Sequence, residues 1–310
     1  MRATHRLMWL CLSVVLGGGA ILGCGKEDKA DSEPLLVPWS QLTGRIAYVR
    51  GSREIMVIDS TRQVVERVYL AEADADVRDV TWHPNGAVVT ATLFHLRPEF
   101  VAFWSLASID VRSGAKTDLY PTMSDPGFAD WSPDGRIAFK SGGPPAFGGL
   151  YIDGELVPTD VVIPVALSAP SWSPDGSTLA VIQDNTSSAH GYGDLRLLDV
   201  AGGTSTSLGP SGCAHPRYSP DGTLIAFTRV SEATGTDRLW LASVPRGVET
   251  HLSGADSIMP THPDWSPDGS RLVVHGEADL SQPNLYLVDA TTGAPVQLTA
   301  KGGHSPAWIP

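Results

Sequence analysis

Three histidines recur in step with an aromatic residue. His215 and His262 each stand three residues before an aromatic, Tyr218 or Trp265, and each is followed by proline; His304 stands four residues before Trp308. Imidazoles presented at matched positions can converge, and as neutral nitrogen donors they suit a divalent transition metal. The plainer reading is that connecting segments simply carry polar residues. That reading is the expected one, so no cofactor is assigned, and His215, His262 and His304 stand only as metal candidates. A second group suits recognition. Phe94, Arg97, Phe100 and Trp104 share one stretch, Phe147 sits in a glycine- and proline-rich segment, and Tyr192 follows in a third. Aromatic and arginine anchors of this kind dominate binding hot spots. No Gly-x-Ser-x-Gly elbow, Walker loop, dinucleotide-binding glycine motif or His-Glu-x-x-His helix occurs, so no catalytic residue is assigned.

These side chains are positioned by a repeat. Trp82-His83-Pro84-Asn85-Gly86 returns as Trp131-Ser132-Pro133-Asp134-Gly135, Trp172-Ser173-Pro174-Asp175-Gly176, Tyr218-Ser219-Pro220-Asp221-Gly222 and Trp265-Ser266-Pro267-Asp268-Gly269, and a sixth copy begins at Trp308. The aromatic positions are 49, 41, 46, 47 and 43 residues apart, a period that suits four short antiparallel strands with their turns. In each turn proline presets φ, aspartate bonds the neighbouring backbone, and glycine accepts a positive φ. The aromatic residue belongs on the first strand, filling the wedge between neighbouring units; the repeated aspartates carry no chemistry. Residues 44–70 read as the second, third and fourth strands of a unit, and residues 305–309 as a first strand alone. The expected fold is therefore all-β, a six-bladed propeller of four-stranded blades. Pairing of the C-terminal strand with the N-terminal blade closes it, which removes the open sheet edges.

The first residues are of another kind. Arg2 and Arg6 precede an apolar run over 7–22, broken only by Ser13 and Gly17 to Gly19, and the run ends at Gly23-Cys24. Sixteen residues fall short of the roughly 20 that span a bilayer, so 1–23 reads as an export signal. Ile21-Leu22-Gly23-Cys24 resembles the bacterial lipobox, which implies cleavage before Cys24 and a lipid on its thiol. Residues 24–38 then form a polar tether, and 39–310 the propeller. Cys11 leaves with the signal and Cys24 is acylated, so Cys213 is left without a disulfide partner. Without Arg2 and Arg6 the chain holds 20 basic against 34 acidic residues, a net charge of −14, which argues against nucleic acid and anionic lipid surfaces as partners.

The Trp-Ser-Pro-Asp-Gly core with its apolar sequel resembles the TolB-type, WD40-like propeller repeat of bacterial envelope proteins, over nearly the whole mature chain. The resemblance is to the family, not to TolB itself, which carries an α/β domain before its propeller where this chain has a tether. It implies an envelope protein; Gly25, rather than aspartate, after Cys24 points to the outer membrane, facing the periplasm. Hydrolases with such propellers need an additional α/β catalytic domain, for which this sequence leaves no room. In this architecture one face gathers the loops joining second to third strands, where His95, His190 and His275 are expected, and those joining blades, where His215, His262 and His304 are expected. The leading expectation is a monomeric, non-enzymatic binding or scaffold module for an envelope protein or glycan. The alternative is a metal-dependent enzyme similar to the propeller lyases of pectin fragments, using histidines at the channel mouth.

Overall fold

The computed structural model describes residues 34–96, 102–142, 148–159, 169–183, 192–209, 211–231, 233–277 and 282–310. Cys24, Arg97, Phe100, Phe147 and His190 lie outside them. Six four-stranded antiparallel sheets make up the fold. The first strands of blades two to six are Ala75–Trp82, Pro126–Trp131, Ser171–Trp172, Cys213–Tyr218 and Thr261–Trp265. The sixth, His304–Ile309, pairs with Arg45–Arg50 of blade one, with Trp308 opposite Ile46 and Ile309 opposite Arg45. First strands of successive blades touch around a complete circuit, so the sheets form a ring closed in the expected way.

The repeated turn works through its side chains. Ser173 Oγ donates to Asp175 Oδ1 (2.6 Å) and accepts the Thr178 N–H (3.0 Å), while Gly176 adopts φ of 70° and donates to the Ser173 carbonyl. The same serine-to-aspartate bond closes the turns at Ser219 and Ser266. These bonds, and the matching one from Ser132 to Asp134, hold Asp134, Asp221 and Asp268 below the usual carboxylate range and Asp175 at about 2.

Alternation of side chains along each strand packs both blade surfaces into the clefts between blades, and each cleft has its own apolar cluster. Trp82, Trp172, Tyr218, Trp265 and Trp308 are buried, one to a cleft, and Trp131 is half-buried in the remaining one. Packing reaches back into the segment read as tether. Val37 is buried between blades six and one, Leu35 packs beside it, and the Leu36 N–H donates to the Leu298 carbonyl (3.1 Å). Leu35 and Val37 offer the apolar surface that the charged residues before them lack. No helix among the described residues is long and apolar enough to cross a membrane.

Candidate functional site

A bulge in the first strand builds the site. In blades three, five, six and one, the first strand uses three residue steps where its partner uses two, and in blade two it uses two steps against one. An extra residue of this kind bends the strand and re-aims a side chain. Phe128, His215, His262 and Ser305, each three residues before the aromatic, take the left-handed conformation with φ of 54°, 51°, 49° and 46°. Non-glycine residues adopt it at a cost of about 1–3 kcal/mol each. Arg78 is the extra residue in blade two. The prolines that follow three of them, Pro216, Pro263 and Pro306, lie on the channel edge, where no neighbouring strand needs their missing N–H.

All five bulge residues line one cavity at the channel mouth, about 380 Å³ in volume, whose wall also includes Trp104, Tyr192, His275 and His304. The histidines form a chain of ring contacts, 3.7 Å between centroids for His215 and His262, 4.9 Å for His262 and His275, and 6.2 Å for His275 and His304. Thr261 Oγ1 lies 2.9 Å from His262 Nδ1 and 3.3 Å from His215 Nδ1, and Thr228 Oγ1 lies 3.1 Å from His215 Nδ1. His304 Nε2 donates to the Gly51 carbonyl (2.9 Å). Burial, reinforced by the neighbouring imidazoles, pushes His262 well below its ordinary range and His275 to about 3; burial also lowers His304.

The expected placement of the histidines needs one correction. His215, His262 and His304 lie on first strands, and His95 and His275 on second strands, not in the connecting loops. The bulge is the reason, because one extra residue lets pairing resume beyond it and carries the strand past the histidine. Nor does His95 join the others. Its Nε2 lies 2.8 Å from Ser105 Oγ, its ring stacks on Phe103 at 4.4 Å, and it faces a separate cavity between blades two and three.

Of the residues proposed for a binding face, Trp104 and Tyr192 line the channel mouth. Phe94 packs beside Trp104, with its ring 4.9 Å from that of Trp104 and 5.1 Å from the Arg78 guanidinium. Sequence reasoning missed Arg78, Phe128 and Ser305. Aligning the repeats on their aromatic residue would have put Phe128 and Ser305 in the column of His215 and His262.

Beneath the mouth lies a charged wall. Asp79, Asp130, Arg217 and Asp264 come from four different blades; Asp79 is buried and the other three are half-buried along the channel. Asp130 and Asp264, one residue before their aromatic, fasten one blade to the next: Asp130 Oδ2 accepts the Trp172 N–H (2.8 Å), and Asp264 Oδ2 accepts the Trp308 N–H. Ser171 does the same for the Tyr218 N–H (3.1 Å). Burial raises all three carboxyls, Asp79 to about 7 and Asp264 to about 6, against the opposing pull of Arg217. Burial alone would lower Arg217, but the three aspartates outweigh it and raise it.

No family model and no curated protein matches this chain. Solved structures do. TolB from Acinetobacter baumannii matches with a TM-score of 0.68 at 18% identity, over 86% of this chain and 67% of TolB. The chain carries a TolB-like β-propeller. A chain of the nidogen/laminin complex matches at 0.63 and 11% identity, over 86% of this chain and 98% of its own length. Oligogalacturonate lyase, solved in complex with manganese, matches at 0.51 and 16% identity, over 83% of this chain and 74% of the lyase. At these identities the likeness is one of fold.

Proposed function

We propose that this chain is an exported envelope protein, held at the periplasmic face of the outer membrane by a lipid on Cys24, whose propeller binds a protein partner at the channel mouth without catalysis of its own. A glycan is the alternative partner. One observation carries the reading: five bulges at equivalent places turn Arg78, Phe128, His215, His262 and Ser305 into a single cavity walled by Trp104 and Tyr192. Strained backbone repeated around one opening, with aromatic and arginine side chains exposed to it, is the arrangement of a recognition surface. The TolB-like fold and the likeness to a chain of a protein–protein complex agree with it.

The lyase likeness raises a manganese reading, which the donors do not fit. Among the described residues no three His, Cys, Asp or Glu side chains are placed to hold a metal ion. His304 commits Nε2 to the Gly51 carbonyl, and the other three rings lie in a row, His262 stacked on His275 and tilted against His215, rather than converging on a point.

A photocrosslinking residue placed at Pro283, in the wall of the mouth, should join a partner in cells, and one placed at Asp221, in the opposite turns, should not. Equal yields from both would overturn the reading. For the anchor, Cys24→Ala should move the protein from the salt-washed membrane pellet to the soluble fraction; retention in the pellet would remove the lipid assignment.

A further inference from the structure

The charge of the mouth runs against that of the whole chain. The sequence holds 34 acidic and 22 basic residues, yet no aspartate or glutamate is among the described residues that line this cavity. The polar side chains that line it can donate or take a proton. The Ser305 N–H points to His275 Nδ1 (3.5 Å), which leaves the ring proton on Nε2. His262 and His215 continue the stack, and Arg78 brings a permanent charge, partly shared with Asp76 at 3.1 Å. Stacked neutral imidazoles accept a proton most readily when an anion arrives to compensate it. The other charged groups near the stack lie in the floor and behind the wall of the mouth. In the floor, burial raises Asp79 to about 7, so it keeps part of its proton near neutral pH, and Asp264 to about 6, while the Arg217 guanidinium opposes the charge of Asp130, Asp264 and Asp79 together. His304 is lowered by burial, and Asp237 is engaged by the Tyr192 hydroxyl (2.9 Å).

Resting on the reading of this face as a binding surface, we propose that the channel mouth recognises a carboxylate flanked by apolar surface, and that binding draws a proton onto the His215–His262–His275 stack. Arg78 and the imidazole N–H groups meet the carboxylate, and Trp104, Phe128 and Tyr192 cover the apolar part. Phosphate suits the site less, because one guanidinium, with His262 and His275 held neutral by burial, offers too little charge for a dianion.

Calorimetry on the purified full chain tests this with N-acetylphenylalanine, its uncharged amide, and inorganic phosphate. The acid should bind at least about tenfold more tightly than the amide or phosphate. Its affinity should rise as pH falls from 7.5 to 5.5, by up to about tenfold per unit for one coupled proton, with proton uptake visible as a dependence of heat on buffer. His262→Gln should flatten the pH dependence, Arg78→Gln should weaken binding at every pH, and His83→Gln on the turn face should change nothing. Equal binding of acid and amide, binding of phosphate as tight as that of the acid, or no proton uptake by the parent protein would each overturn the proposal. The parent measurement stands even if a variant fails to fold. If the acid does not bind while crosslinking from Pro283 persists, the ligand class is wrong and the binding face survives; loss of both removes the face as well.

Discussion

The two faces of this propeller start from the same repeat and end differently. At the turn face, the repeated serine and aspartate side chains are satisfied within five residues: Ser173 serves Asp175 and Thr178, and Ser219 and Ser266 repeat the pattern in their blades. A unit that satisfies itself can be copied from blade to blade without change, and it offers nothing to a ligand. At the channel mouth the same strands carry a bulge whose side chain differs from copy to copy, as arginine, phenylalanine, histidine, histidine and serine, and whose contacts reach the next blade as well as its own: His215 meets His262 and Thr261, Phe128 meets Trp104, and Ser305 meets the Arg78 carbonyl. Shared backbone geometry with divergent side chains is what separates a site from its scaffold in this repeat.

The comparison presupposes a closed ring, and breaking closure gives the largest effect. Removing the residues after His304 takes away Trp308, which is buried in the cleft between blades six and one, and loss of such a side chain costs about 3–5 kcal/mol. A thermal melt should show a large drop or aggregation; an unchanged melt would reject closure by this strand. Next comes Arg217→Met. It removes the cation whose charge opposes those of Asp79, Asp130 and Asp264, and, discounted for the half-exposed setting, should destabilise by about 2 kcal/mol in urea at pH 8. The loss should shrink at pH 5, where those carboxyls are more fully protonated.

A third test uses the sign of a single titration. Asp79 holds its proton to about 7 in the fold, against an ordinary 3.8. Between those values the native state keeps a proton that the unfolded chain has released, so this group's contribution falls as pH rises. His275 runs the other way, because it stays neutral in the fold down to about 3 and its contribution is lost as pH falls below 6.5. Asp79→Asn should therefore gain stability relative to the parent as pH is raised from 4 toward 7. A difference independent of pH would show that the wall does not titrate as argued. The smallest effect belongs to the turn face: Ser173→Ala removes two local bonds and should cost about 1 kcal/mol. It should leave crosslinking from Pro283 intact, and reduced crosslinking would undo the separation of the two faces.

The repeat, the strand count, the turn chemistry and the aromatic wedges were all legible in the sequence, because each rests on residues a few positions apart. Ring closure was legible too, since a first strand at one end and a blade lacking one at the other leave a single pairing that satisfies both edges. Trp104 and Tyr192 could be named as surface anchors, and His215 and His262 as a matched pair. Only the tertiary structure placed the histidines on strands and brought Arg78, Phe128 and Ser305 beside them. A bulge depends on the register between strands, which no local signal announces, and convergence on a channel depends on how six blades close. The wall of Asp79, Asp130, Arg217 and Asp264 was equally hidden, because charged residues scattered over a chain interact only when folding removes the water between them and leaves their charges little screened.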